Sequence, residues 1–226
     1  MSLRVEICVQ GVPSALAAFE GGADRVELCE NLAVGGVTPS IGAIGLACER
    51  LAIPVHVLIR PRGGLFVFDP DEAQVMRRDV AACRELGVAG VVIGALRPDH
   101  TIDRDLTAAL LDLAGPMSVT FHRAFDQVAD PFAALDLLLG LGIDRILTSA
   151  GAPSAREALP QLADLQQRAG ASLTILAAGR VSEADVPALA ASGLRELHAG
   201  SSVGPAGATD PARVRGLVTL AHHTIA

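Results

Sequence analysis

The sequence predicts an α/β fold, a single (β/α)8 TIM barrel over residues 1–226. Three observations predict it. First, eight short β-rich runs alternate with Ala/Leu-rich segments of helical period from one end to the other. Second, variants of one helix-to-strand turn recur along the chain: Gly22-Ala23-Asp24-Arg25, Gly87-Val88-Ala89-Gly90, Gly142-Ile143-Asp144-Arg145 and Gly193-Leu194-Arg195-Glu196. Third, the units are even in length and no G-x-G-x-x-G follows the first run, which disfavours an open doubly wound sheet. The length of 226 residues suits one barrel, since single domains of this class run to about 200–250 residues.

The elements follow in order. Strands are expected at 4–9, 25–29, 55–60, 90–95, 118–122, 145–148, 173–177 and 196–199, and helices at 14–20, 41–51, 71–86, 104–113, 131–141, 155–169, 183–192 and 210–221. Ser40, Asp71, Asp130, Ser154 and Ser182 stand where helix N-caps belong. Gly87, Gly142 and Gly193 each follow a helix and precede a strand, as a C′ glycine should. The longest loops, 31–39, 61–70 and 201–209, all come after strands, which in a barrel is the catalytic face.

Composition narrows the function. The net charge is −7, aromatic residues make up 3%, and Trp and Tyr are absent. That argues against nucleic acid, which needs a basic surface and stacking platforms. No apolar run approaches the roughly 20 residues of a membrane span, and the N-terminal segment has neither a basic nor an apolar signal-peptide region. The expected location is the cytoplasm. All 18 basic residues are Arg. This excludes chemistry that needs a lysine amine, such as Schiff bases or PLP, because a guanidinium stays protonated. Cys8, Cys29, Cys48 and Cys83 form no C-x-x-C pair and read as free thiols. Cys48 and Cys83 fall on the core faces of helices.

Strand ends carry the candidate chemistry. Val5-Glu6-Ile7-Cys8 and Val26-Glu27-Leu28-Cys29 repeat one pattern, with Glu and Cys on one face and aliphatic residues on the other. If the strands pair in register, two carboxylates and two thiols lie side by side inside the barrel. Each Glu is then either an acid/base group or a partner of barrel arginines, because a bare buried charge is costly. Both are expected within salt-bridge reach of Arg60 or His122. Arg60-Pro61-Arg62 followed by Gly63-Gly64 makes a rigid cationic loop suited to a carboxylate or phosphate. In Thr120–Asp126, His122 stands at a strand end as a general acid/base candidate, beside Arg123, with Asp126 able to orient either. Thr148, Gly179, Gly200, Ser201 and His198 close the sixth, seventh and eighth strands, where barrels often bind phosphate. His198 ranks below His122; His56 reads as structural, and His100, His222 and His223 as solvated.

These residues resemble the CutC family, often called copper homeostasis proteins. The resemblance rests on residues 21–29, the 31–40 loop with Gly35-Gly36-Val37-Thr38-Pro39-Ser40, residues 59–64, 120–126 and 144–149, and spans the chain from Arg4 to about Ser201. It implies a TIM barrel, a cytoplasmic homo-oligomer (a dimer or tetramer) and copper handling, with Cys8 and Cys29 as the Cu(I) positions, since soft thiolates suit Cu(I). Three places depart from the family pattern: the Ala177–Val181 turn, the Ala150-Gly151 turn, and a shortened loop over 202–209. Two principal expectations compete. In one, a small anionic ligand, phosphorylated or not, is bound or turned over by Glu6, Glu27 and His122 with Arg60, Arg62 and Arg123. In the other, Cys8 and Cys29 bind Cu(I), which requires register and rotamers to cooperate across strands about 4.8 Å apart. A third keeps the barrel for binding or assembly alone.

Overall fold

The structure is a computed structural model describing residues 2–205 and 208–224. Met1, and residues 206 and 207 of the loop expected after the eighth strand, lie outside the described residues. Eight parallel strands close in sequence order into a barrel: β1 (Arg4–Gln10), β2 (Arg25–Cys29), β3 (Val55–Leu58), β4 (Gly90–Ile93), β5 (Ser118–Phe121), β6 (Arg145–Thr148), β7 (Thr174–Ala177) and β8 (Glu196–Ala199). Helices α1 (Gly11–Glu20), α2 (Ile41–Arg50), α3 (Pro70–Glu85), α4 (Arg104–Ala114), α5 (Pro131–Leu141), α6 (Leu159–Ala169), α7 (Val186–Ala191) and α8 (Pro211–His223) surround it.

Several boundaries correct the sequence reading. α3 is capped by Asp69, not Asp71: Asp69 accepts from the Glu72 N–H, Glu72 returns a bond to the Asp69 N–H, and Pro70 opens the helix where no donor is needed. α6 begins at Leu159 because Ser154 closes a local turn with Glu157 and Ala155 N–H is drawn to the Gly179 carbonyl. Residues 183–185 form a 3-10 turn capped by Ser182 before α7. β3 stops at Leu58 because the Arg60 N–H turns to Thr38 Oγ1 and its carbonyl receives the Thr38 N–H. Ser40 and Asp130 cap α2 and α5 as expected. Cys83 is buried, and Cys48 is half-buried against the same core.

Alternation along each strand separates two cores. Val5, Ile7, Val9, Val26, Leu28, Val57 and Val91 belong to the large apolar layer between sheet and helices. The opposite parity fills the barrel itself. Its lower end is polar: Arg25 bonds Glu6 (2.5 Å) and Glu196 (2.6 Å), and Arg145 bonds Glu196 (3.0 Å) and Ser118. Above this floor, Cys29, Leu58 and Val92 pack on one side and Leu147, Leu176 and Ala178 on the other.

The register holds the main departure from expectation. Glu6 pairs with Arg25, Cys8 with Glu27 and Gln10 with Cys29. Strand β2 is thus displaced by two residues, one full inward position, from the alignment that would place the two Glu side by side. Closing a sheet into a barrel demands such stagger between neighbours. Among the described residues no helix is long and apolar enough to cross a membrane.

Candidate thiol and ligand site at the barrel mouth

The stagger gives Glu6 and Glu27 different surroundings. Glu6 belongs to the floor, bonded to Arg25, to His198 Nδ1 at 2.7 Å, and 4.0 Å from His56. Burial alone would raise its pKa, but Arg25 with His198 and His56 holds the carboxyl well below the usual range. Glu27 lies one inward position higher, 3.7 Å from His198 Nε2. Burial, reinforced by the negative charge at Cys8, pushes its pKa well above the usual carboxylate range. Contrary to the sequence expectation, neither carboxylate reaches Arg60 or His122; the register directs them to Arg25 and His198 instead.

The two thiols meet despite the stagger. Cys8 and Cys29 Sγ lie 3.8 Å apart, with the Cys29 thiol also near the Glu27 carbonyl. A bond from Cys29 is the largest influence on Cys8; against the cost of burial, and with His198 and Glu27 beside it, it lowers the Cys8 pKa to about 5. The Cys29 thiol, facing that charge and buried, is held well above its usual value. Burial works against charge on His198, but its contacts with Cys8 and Glu6 and the proximity of Glu27 raise it well above the ordinary imidazole value. At pH 7 the pair is therefore a Cys8 thiolate and a Cys29 thiol, beside a His198 ring held toward its charged form. His198, ranked second from the sequence, is the histidine that touches the thiols.

Donor atoms of Cys8, Glu27 and Cys29 lie within 4.8 Å of one another, as do those of Glu6, Glu27 and His198. Metal–sulfur bonds of about 2.3 Å at a near-tetrahedral angle put two sulfurs about 3.8 Å apart. The thiol pair thus stands at the spacing of two sulfurs on a tetrahedral ion, and a linear two-sulfur ion would open it to about 4.6 Å. Two soft donors favour Cu(I) or Zn(II) over hard cations.

His122 occupies a separate corner. Its Nδ1 accepts from the Ala124 N–H at 3.1 Å and its ring packs against Phe66 with centroids 4.8 Å apart. Burial and the Arg60 charge lower its pKa to about 3, so it is neutral. Asp126 does not orient it. Asp126 holds Arg123 at 2.7 Å and accepts from Thr148 Oγ1 and the Ser149 N–H, while Arg123 also bonds Ser149. Arg62 pairs with Glu72 and with the Leu65 and Val67 carbonyls. Arg60 spends four contacts on the carbonyls of Val34, Gly35, Gly36 and Gly64. His56 is buried beneath the site, and His222, read as solvated, bonds Asp24.

Two adjoining cavities open here. One of about 310 Å3 is lined by Gln10, Gly179, Arg180, Gly200 and Ser201, the turns after β7 and β8 included. The other, about 170 Å3, is lined by Glu27, Cys29, Arg60, Phe66 and His122. Cys8, Leu32, Arg123 and His198 wall both. Thr148 lies off both, its hydroxyl taken by Asp126 and the Ala150 N–H. Sequence reasoning missed Arg25, Phe66 and Ser149. Arg25 shares the parity of Glu27 and Cys29, a signal present in the sequence; Phe66 lies in a loop whose path no pattern gives.

Comparisons with known proteins agree with this architecture. The sequence pattern of the CutC family matches residues 3–203. A CutC family protein of Xanthomonas campestris is 46% identical over 237 residues, covering 96% of this chain and 98% of the relative. The human copper homeostasis protein cutC homolog is 43% identical over 195 residues, covering 86% of this chain and 71% of that protein. A solved CutC structure from Streptococcus agalactiae superposes with a TM-score of 0.84 at 31% identity, covering 90% of this chain and 100% of that one.

Proposed function

Since the chain belongs to the CutC family, we propose that it binds Cu(I) through Cys8 and Cys29 at the barrel mouth, in keeping with the copper homeostasis named for its human relative. The observation that carries this reading is the 3.8 Å separation of the two sulfurs, one of them a thiolate. The anion reading draws less support, because Arg62 and Arg123 each already hold a carboxylate.

The protein's own groups have defined roles in this reading. The bond from Cys29, with His198 beside it, keeps Cys8 ionised before the ion arrives, and Glu6 fixes the orientation of that imidazole through Nδ1. Cys29 supplies the second sulfur and must lose its proton on binding. Leu32, Leu58 and Val92 pack against the sulfurs, giving them an apolar flank on that side. Two thiolates supply the soft coordination that stabilises the monovalent state of copper.

The test is an anaerobic competition titration of reduced protein with a colorimetric Cu(I) chelator. One equivalent should bind in the wild type and be lost in Cys8→Ser/Cys29→Ser. Retention in the double variant, or no binding in the wild type, would refute the proposal.

A further inference from the structure

Arg60 is 5% exposed, and all its bonds go to neutral carbonyls. Among the described residues no carboxylate lies within ion-pair reach of it, and the Cys8 thiolate is already matched by His198. A buried cation without a counter-charge is strongly unfavourable. Its Nε–H is moreover buried with no acceptor.

The same holds of His122, which is 4% exposed. Because Nδ1 accepts from Ala124, the ring proton sits on Nε2, and that atom too has no partner. Buried donors are almost always satisfied. These two flank the Phe66 ring, the Arg60 guanidinium carbon at 4.7 Å and the His122 ring at 4.8 Å from its centroid. Both line the 170 Å3 cavity, whose remaining wall includes Leu58 and Leu147.

We propose that this smaller cavity is a binding site for a small aliphatic carboxylate, its oxygens held by Arg60 Nε–H and His122 Nε2–H and its apolar end against Phe66, Leu58 and Leu147. The anion supplies the charge Arg60 lacks and the acceptors both donors lack. The lining selects the class: beside the two donors the wall is apolar at Phe66, Leu58 and Leu147, which suits a carboxylate with a short aliphatic end. The low pKa of His122 agrees, since a neutral imidazole donates one hydrogen bond without adding charge. Neither thiol is a ligand of the carboxylate, although both stand in the cavity wall.

Propionate is the probe, titrated calorimetrically into reduced, metal-free protein against sodium chloride at matched ionic strength, with propionamide and inorganic phosphate in parallel. One saturable propionate site is expected, with propionamide and phosphate each at least tenfold weaker. His122→Phe keeps the ring against Phe66 and removes the donor; it should weaken propionate at least tenfold while the Tm stays within a few degrees. Arg60→Gln should do the same or more, and should it fail to fold, His122→Phe decides alone. His122→Phe should still take up one equivalent of Cu(I) in the competition titration, so that the two readings fail separately. No saturation above the chloride control, phosphate binding more tightly than propionate, or wild-type affinity in His122→Phe would overturn the proposal.

Discussion

At pH 7 the Cys8–Cys29 pair carries one proton, and this sets how metal binding answers to acid. Cys8 ionises at about pH 5, and Cys29 well above the ordinary thiol value. Binding both sulfurs therefore releases one proton above about pH 5 and two below it. The logarithm of the Cu(I) affinity should fall by about one unit per pH unit between about pH 8 and about pH 6, and more steeply below about pH 5. Competition titrations across that range check this, and a flat profile would show that Cys29 takes no part. Glycine decides a second residue-scale outcome. A Cβ at Gly94 would overlap the His122 ring, so Gly94→Ala must push that ring from its seat and break its bond from Ala124. Overpacking of this kind costs about 1–3 kcal/mol. Urea unfolding measures it, with loss of propionate binding as the companion readout.

At the scale of elements, four strands are cross-linked by charge. Arg25 on β2 holds Glu6 on β1 and Glu196 on β8, and Glu196 holds Arg145 on β6. Removing one partner leaves buried charges bare, so Arg25→Met should destabilise the barrel by about 3–5 kcal/mol. Arg62→Met removes an equally short pair with Glu72, but the Arg62 side chain is 41% exposed, and such pairs are worth about 0–1 kcal/mol. Chemical denaturation of the two variants side by side tests whether burial, and not contact length, governs the loss. Equal losses would contradict it. The same network makes acid harmful: the Glu6 pKa is depressed, so its contribution is complete above the unfolded carboxyl value and disappears as pH falls below it.

For the whole molecule, the histidines set opposing slopes. The pKa values of His56 and His122 are lowered to about 4 and about 3. The native state refuses protons that the unfolded chain accepts below about pH 6.5, so stability declines from there toward pH 4. His198 is raised, so its contribution is complete below about pH 6.5 and lost as pH climbs through its folded value. Above that the Cys8 thiolate, ionised in the native state from about pH 5, opposes the His198 loss; the acid limb is therefore the test, with Tm climbing from pH 4 to about pH 6.5 and His56→Gln flattening that limb, and a Tm independent of pH over that window would refute the scheme. The barrel itself was legible because alternation and the repeated Gly turns encode local geometry, and strand parity correctly sent Glu6, Glu27, Cys8, Cys29 and His122 inward. What parity cannot carry is height. Whether Glu6 stands beside Glu27 or beside Arg25 depends on closure of all eight strands, and so the partners of both carboxylates, and the prominence of His198 over His122, emerged only in three dimensions. The Arg60 contacts were hidden for a related reason: they join loops whose paths no periodicity fixes.

The stagger between β1 and β2 has an outcome beyond geometry. Val-Glu-Ile-Cys and Val-Glu-Leu-Cys are nearly one word, yet the barrel reads them a rung apart, like the same key struck in two octaves. On the lower rung the carboxyl is held ionised; on the upper it is pushed toward its protonated form. A repeated pattern thus acquires two chemical personalities with no new residue types, and a designer who transplants the word to another strand should choose its altitude before its letters.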